Sequence, residues 1–484
     1  MAKTWEVAIV GAGFSGLGMA IQLKKAGRHD FVILEEAGDV GGTWRENTYP
    51  GCACDIPSHL YSYSFEPNPG WTRQYPRQQE IWDYLRHCTR KYGLEPHLRF
   101  RTRMVTAEFD DTCATWLLTT DGGETVRARA LVGAFGPLHH PAIPDLPGLD
   151  RFAGATFHSA RWDHDYDLAG KRVAVIGTGS SAIQFVPEIA PEVAHLEIFQ
   201  RTAPWIMPKP DREITGFERR LFRLFPPARR AFRNLIYWRQ EVAALGFVVN
   251  PRLMRLIERL ARRHIERHVR DPALRAAVTP SYVIGCKRIL ISNDYYRALN
   301  RPNVDLTTSP IVEVREHGVV TADGTEHRVD AIIFGTGFRV IDALASKMIV
   351  GANGRKLQDA WADGPQAYRG ITIAGFPNLF LLVGPNTGLG HNSIVFMIET
   401  QIRHVLRCLR ELDRGRTIDV RAGAERDFNH WVQSRLRGTV WQTGCKSWYL
   451  DDEGRNRTLW PGFTFTYWWR TRTPRLSDYE VVAR

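Results

Sequence analysis

Two glycine runs of the same shape, each followed at the same distance by a charged residue, mark where this chain could do chemistry. The first is Gly11-Ala12-Gly13-Phe14-Ser15-Gly16 and the second Gly177-Thr178-Gly179-Ser180-Ser181-Ala182. Between a strand and a helix, such a run lets the backbone approach a pyrophosphate, which rests on the free N–H groups of the helix N-terminus. The first glycine permits the tight turn, the second the close approach, and the third small residue the packing of helix on strand. Glu35 and Arg201 stand at the same offset from Gly11 and Gly177. A carboxylate there suits the two hydroxyls of an adenosine ribose, whereas a guanidinium accommodates a 2′-phosphate. By charge alone the first site is expected to take FAD or NAD, and the second NADPH. Lys287-Arg288 places two more cations beside the second site.

Strands and helices of the right length flank both runs. Trp5–Val10 is apolar and leads into the first run, followed by the helical pattern from Leu17; the strand Asp30–Leu34 ends at Glu35. Residues 73–95 read as a helix, and Leu98–Val105, Ala107–Phe109, Thr115–Thr120 and Ala128–Val132 as a meander returning to the first sheet. Around the second run, Arg172–Ile176 and Leu196–Gln200 read as strands, and Asp330–Phe334 closes that unit. Leu379–Val383 then leads through Gly384–Ser393 into the helix Ile394–Leu412, offering another helix N-terminus to the far end of the first cofactor. The expected fold is α/β, with two Rossmann-like dinucleotide-binding domains for FAD and NADP. The expected boundaries are 1–151 for the first part of the FAD domain, 152–338 for the NADP domain, and 339–484 for the second FAD part and C-terminal segment.

The chain has 484 residues, 44 % hydrophobic and 24 % charged, which excludes a disordered protein. No apolar run is long enough to span a membrane, and the N-terminus enters a strand without a leader, so a cytoplasmic protein is expected. Seven scattered cysteines, an odd number, are expected to be reduced thiols. Cys52-x-Cys54 has no second pair at ligand spacing, so no metal site is expected. The net charge of +12 is concentrated in a helical section at about 212–275, in or beside the NADP domain. Apolar residues there recur every three or four positions, so its arginines read as solvated faces of packed helices rather than a nucleic-acid surface. Peripheral contact with anionic lipid is the weaker alternative.

Two longer patterns bring a family into view. Phe152-x-Gly154-x-x-x-His158-x-x-x-Trp162-Asp163 joins the two glycine sites, and Gly41-Gly42-Thr43-Trp44 with Tyr49-Pro50-Gly51 and Asp55 follows the first. With them the chain resembles the type I Baeyer–Villiger monooxygenases, within the flavin-dependent monooxygenases, over most of residues 5–400. The resemblance implies an enzyme using FAD, NADPH and O2 to insert one oxygen beside a ketone carbonyl through a flavin peroxide, giving an ester or lactone. It implies FAD contacts from Gly11, Gly13, Phe14, Ser15, Gly16, Glu35, Gly42, Thr43, Trp44, Asp55, Tyr61, Val105 and Asn386. NADP would meet Gly177, Thr178, Gly179, Ser180, Ser181, Ala182, Arg201, Thr202, Lys287 and Arg288. Arg288 would be the catalytic arginine with Asp55 as its partner, and His158 would couple the moving domains. A tryptophan near the C-terminus would close over NADP, with Trp448 and Trp460 as candidates.

The competing readings differ in chemistry. An N- or S-oxygenating flavin monooxygenase would use a protonated, electrophilic oxidant; Trp162-Asp163 and Lys287-Arg288 speak against it. A flavin disulfide reductase needs a redox Cys-x-x-Cys, and only Cys52-x-Cys54 is present. A non-enzymatic basic binder leaves both glycine runs unexplained.

Overall fold

The computed structural model describes residues 3–340 and 348–483. Its first sheet begins with β1 (Thr4–Val10), flanked in parallel by β2 (Phe31–Leu34) and β6 (Thr125–Gly133). β3 (Leu98–Arg99) extends the β2 edge. Beyond β6 the antiparallel strands β5 (Thr115–Thr120) and β4 (Met104–Asp110) form the meander. The strand Leu379–Leu381 pairs in parallel with the end of β6, so a late segment completes the sheet begun by the N-terminus. Val7, Ala8 and Ile9 at the centre of β1 and all of β2 are buried apolar residues, as strands covered on both faces must be.

The second sheet is wholly parallel, in the order Val304–Thr307, β9 (His195–Phe199), β8 (Arg172–Ile176), Ala331–Phe334 and β7 (Ala155–His158). Of the Phe152–Asp163 pattern β7 carries His158, so the pattern leads into an edge strand of the second sheet and out of it again.

Element boundaries moved where backbone chemistry required it. The helix expected over 73–95 spans Gln78–Lys91, because Pro76 favours extended backbone before it and Gly93 ends the helix at positive φ. The strand expected over Leu98–Val105 splits in two at Arg101, which has a φ of 51°.

The arginine-rich section holds packed helices as expected, among them Gly216–Leu224, Pro226–Ala244 and Met254–His268. Many of its arginines are solvated, as expected. The packing expectation holds only in part: Phe217, Leu224, Leu235, Trp238 and Val242 are exposed as well. Not all of the cysteines are the reduced thiols expected. Cys286 and Cys445, 159 residues apart, form a disulfide, because the fold brings their Cα atoms within 6.3 Å. Cys52, Cys54, Cys88, Cys113 and Cys408 are free. An odd count therefore left room for one bridge, and spacing along the chain gave no sign of it.

Candidate active site

The first glycine run is shaped by contacts that forbid side chains. A Cβ on Gly11, whose φ is 102°, would lie 2.5 Å from the Ala134 carbonyl oxygen at the end of β6. One on Gly16 would lie 1.9 Å from the Gly11 carbonyl oxygen, which is how closely helix Phe14–Lys25 approaches its strand. Gly13 and Gly42 face each other with no Cβ between them, so two bare backbones form one wall. Gly13 caps the helix without a side-chain bond, leaving the N–H groups of Phe14, Ser15 and Gly16 directed at whatever fills the turn. Glu35, 5 % exposed, accepts from Ala12 N–H at 2.8 Å and from Ala37 N–H and Arg45 at 3.0 Å. Carboxylate oxygens accept more than one bond each, so Oε2 keeps capacity toward a ribose hydroxyl beside the turn. This donor set fits an adenine dinucleotide with an unphosphorylated ribose.

Around this turn the aromatic residues interlock. Trp44 donates through Nε1 to the Tyr61 hydroxyl at 3.1 Å, and Phe14 meets Tyr61 edge-on at 5.1 Å. Burial pushes the Tyr61 phenol far above its usual range, so it stays a neutral hydroxyl. Thr43 begins the one-turn helix that carries Trp44. Val105 sits at the register shift between β4 and β5, where the ladder skips a residue and leaves its backbone outside the pairing. Asn386, 2 % exposed, donates to the Asn456 and Leu459 carbonyl oxygens at 2.8 and 3.1 Å. Its amide nitrogen is thus committed to the C-terminal segment, which leaves only Oδ1 for a cofactor.

The second run repeats the geometry on its own sheet. A Cβ on Gly177, φ 107°, would lie 2.5 Å from the Gly335 carbonyl oxygen, and Gly335 would in turn approach the Ala182 methyl at 3.1 Å. Ser180 is exposed and Ser181 half-buried at the entrance to helix Ala182–Ile189. Thr178 donates to the Thr202 carbonyl oxygen at 3.4 Å, tying the turn to the Arg201-Thr202 pair. Lys287 is held below the usual lysine range by burial and by the charge of Arg201. The two cations therefore feel one another, and neither has an acidic partner among the described residues. Such a pair fits a phosphate dianion.

Arg288, next in sequence, behaves differently. Its Nε donates to Asp55 Oδ2 at 3.0 Å and its Nη2 to the same oxygen, both side chains being 30 % exposed. Nη1 reaches the Leu389 carbonyl oxygen at 3.4 Å. Asp55 lies in the first glycine domain's loop and Leu389 in the loop Gly384–Ser393, so one guanidinium meets both halves of the first unit from the second. Asp55 raises the Arg288 guanidinium further above its already high range, against the cost of burial. Tyr449 was not anticipated from the sequence: it is 1 % exposed, its phenol raised by burial, and Arg288 is the charge that opposes that rise. It lies one residue beyond Trp448.

Gln184, also missed, is the clamp between the glycine units. It accepts from the Tyr49 hydroxyl at 3.0 Å and from Ala53 N–H at 3.2 Å, and donates to the Ala53 carbonyl oxygen at 3.0 Å. An aromatic row runs alongside, from Tyr49 to Phe185 (6.0 Å) to Trp162 (5.3 Å). The two long sequence patterns are therefore in contact through the helix of the second glycine run. Phe152 and Gly154 are close-packed, a Cβ on Gly154 falling 2.3 Å from the Asp330 carbonyl oxygen. His158, 2 % exposed, accepts at Nδ1 from Ala160 N–H at 3.1 Å, and burial pushes its pKa down to about 4. Asp163 is exposed and accepts from Asp165 N–H at 3.0 Å. Beside them Arg161 pairs with Glu46, and His164 Nε2 lies 2.7 Å from the Thr48 hydroxyl, so this segment also reaches the first unit. Cys52 and Cys54 are buried thiols, that of Cys52 pushed up to about 12 by desolvation. Trp460 is 1 % exposed and packed in the core, whereas Trp448 is 51 % exposed.

Two bare-glycine turns, each leaving a parallel strand of its own sheet, with an acid at one and arginine at the other, define a two-dinucleotide flavoprotein oxidoreductase. Residues 8–215 match the family model of pyridine nucleotide-disulphide oxidoreductases. A Baeyer–Villiger monooxygenase of Streptomyces coelicolor is 51 % identical over 99 % of this chain and 92 % of its own length. An oxidised steroid monooxygenase solved with NADP is 32 % identical and superposes with a TM-score of 0.89, each chain covered in full. OTEMO, solved in complex with FAD and NADP, is 27 % identical with a TM-score of 0.90, again over the whole of both chains. The chain belongs to the Baeyer–Villiger monooxygenases.

Proposed function

We propose that this chain is an FAD-dependent monooxygenase that consumes NADPH and O2 and inserts one oxygen atom beside a ketone carbonyl, giving an ester or lactone. The observation that carries the assignment of residues is the Asp55–Arg288 ion pair, which spans the two glycine units beside the uncompensated cations Arg201 and Lys287. In domain terms, 152–338 is the NADP unit, and 1–151 with 339–484 is the FAD unit.

Held by these residues, FAD would supply the activation of oxygen at the expense of NADPH. The chain's own residues bind, place and shield. The N–H groups at Phe14–Gly16 and Ser180–Ala182 receive the two pyrophosphates, and Glu35 selects the ribose that carries no phosphate. Arg201 and Lys287 take the 2′-phosphate, which relieves the repulsion between them. Arg288 provides a fixed positive charge that cannot be lost by deprotonation, so negative charge developing on the reacting oxygens is stabilised at any working pH. Asp55 aims that guanidinium. His158 is neutral near pH 7 and works as a joint, holding the start of the segment that Arg161 and His164 connect to the other unit. Trp448, exposed beside Tyr449, is the tryptophan free to close over NADP. The test is product analysis with NADPH, O2 and a panel of cyclic, linear and aryl ketones plus one sulfide. Ester or lactone as the major product supports the reading, and sulfoxide alone refutes it.

A further inference from the structure

The helical section presents a second face that the oxygenation chemistry does not use. Helices Gly216–Leu224 and Pro226–Ala244 lie on a common floor. Phe222 and Phe232 stack at 5.3 Å, both approach the His59 ring, and Arg233 donates to the His59 carbonyl oxygen at 2.5 Å. By helical geometry the positions opposite this floor are Phe217, Arg220 and Leu224 on one helix and Leu235, Trp238 and Val242 on the other. They are open to solvent: Phe217 is 75 % exposed, Leu224 69 %, Leu235 65 %, Val242 62 % and Trp238 55 %. Helix Thr464–Thr471 continues the surface, with Phe465 6.0 Å from Trp238 and Trp469, one turn further, 65 % exposed.

Every exposed charged residue on these two helices is an arginine. Arg220, Arg223 and Arg230 are exposed and join no acid among the described residues. The two acids of these helices are turned away: Glu218 closes the capping box with Thr215 and pairs with Arg212, and Glu241, 2 % exposed, is bound by Asn392 and Thr464. Large apolar side chains this exposed, with Trp238 and Phe465 in contact, mark an interaction site rather than ordinary solvent contact. A second copy would set these arginines against each other on a chain of net charge +12. We propose that this face docks on a membrane surface rich in anionic phospholipid, with Phe217, Leu224 and Trp238 entering the headgroup layer and the arginines meeting lipid phosphates. Outward Trp, Phe and Leu flanked by arginine are what an interfacial helix requires. No described helix is long and apolar enough to cross a membrane, so the contact is with one leaflet.

The experiment is co-sedimentation of the full-length, FAD-loaded protein with vesicles of phosphatidylcholine alone or containing 30 % phosphatidylglycerol (about 0.3 mole fraction, chosen to give roughly fivefold tighter binding per engaged arginine). Binding should rise at least tenfold with the anionic lipid and fall in high salt. Phe217→Ser with Trp238→Ser, and separately Arg220→Glu with Arg230→Glu, should each lower it at least tenfold. Flavin absorbance, thermal unfolding and turnover of a water-soluble ketone should match the parent, which shows that the variants are folded. The proposal is overturned if the parent stays in the supernatant, if it binds neutral vesicles equally well, or if the variants bind like the parent. It is equally overturned if the parent is a dimer that Trp238→Ser dissociates while vesicle binding is absent.

Discussion

Arg288 and Arg201 are both arginines proposed above to meet a cofactor, yet their surroundings differ. Arg288 is pinned by Asp55 and its charge is reinforced, whereas Arg201 is exposed and repels Lys287. Arg288→Ala should therefore still fold and bind FAD, while ester formation drops by ~10²–10³, the usual loss for one oxyanion contact. Hydrogen peroxide should replace ester, and Arg288→Lys should recover only part, because a lysine cannot reproduce the forked contact with Asp55. Ester formed per NADPH consumed is the measurement, and an alanine variant as well coupled as the parent removes Arg288 from the chemistry. Arg201→Ala should weaken NADPH binding by about 10–100-fold, the equivalent of one charge-assisted contact, and leave NADH use nearly unchanged. Lys287 adds a pH dependence with a definite sign. Its pKa is depressed in the free protein, and only the protonated amine binds phosphate. NADPH affinity should thus weaken as pH rises through that depressed value, NADH affinity should stay flat, and Lys287→Arg should abolish the difference. A parallel fall for NADH would show that Lys287 does not touch the 2′-phosphate.

Among the elements, the helix Ala182–Ile189 carries most of the coupling. Its N-terminus faces the second glycine turn, Gln184 holds the backbone of Ala53, and Phe185 bridges Tyr49 and Trp162. Gln184→Ala removes three hydrogen bonds at about 1 kcal/mol each. It should leave FAD bound but slow flavin reduction, because the two units lose their alignment; stopped-flow reduction at saturating NADPH unchanged from the parent would refute this. The strand–helix contact at the first turn is less forgiving. Gly16→Ala would drive a methyl into the Gly11 carbonyl 1.9 Å away, so the variant should be colourless or insoluble. The Gly16–Gly11 constraint was legible in the sequence because it depends on residues five positions apart, whereas the walls against Gly11 and Gly177 come from distant Ala134 and Gly335. Gln184 and Tyr449 were not legible, since their roles arise from segments more than a hundred residues distant folding against them. Asn386 was half legible: its loop was recognised, but its amide serves the C-terminal segment, which no local pattern could reveal. The division of Leu98–Val105 at Arg101 shows the same limit in reverse, a positive φ imposed by tertiary context on a residue with no preference for it.

For the whole molecule, the order of the chain is not the order of its cores. The first sheet is begun by residues 4–133 and completed by Ile349–Val350 and Leu379–Leu381, with the second sheet folded in between. The bridge Cys286–Cys445 turns the stretch between its ends into a covalent ring. Unreduced, denatured protein should titrate five thiols and reduced protein seven; seven without reductant would mean that the bridge is not formed in solution. The ring contains Val304–Thr307 and Ala331–Phe334 of one sheet and Leu379–Leu381 of the other. Neither sheet can shed all its strands into an unrestrained chain while the other stands, because each holds part of the same loop. Closing a loop of this length removes about 5 kcal/mol of denatured-state freedom, shared by both sheets. Oxidised protein should accordingly melt in one calorimetric transition whose van't Hoff and calorimetric enthalpies agree, and reduced protein in two.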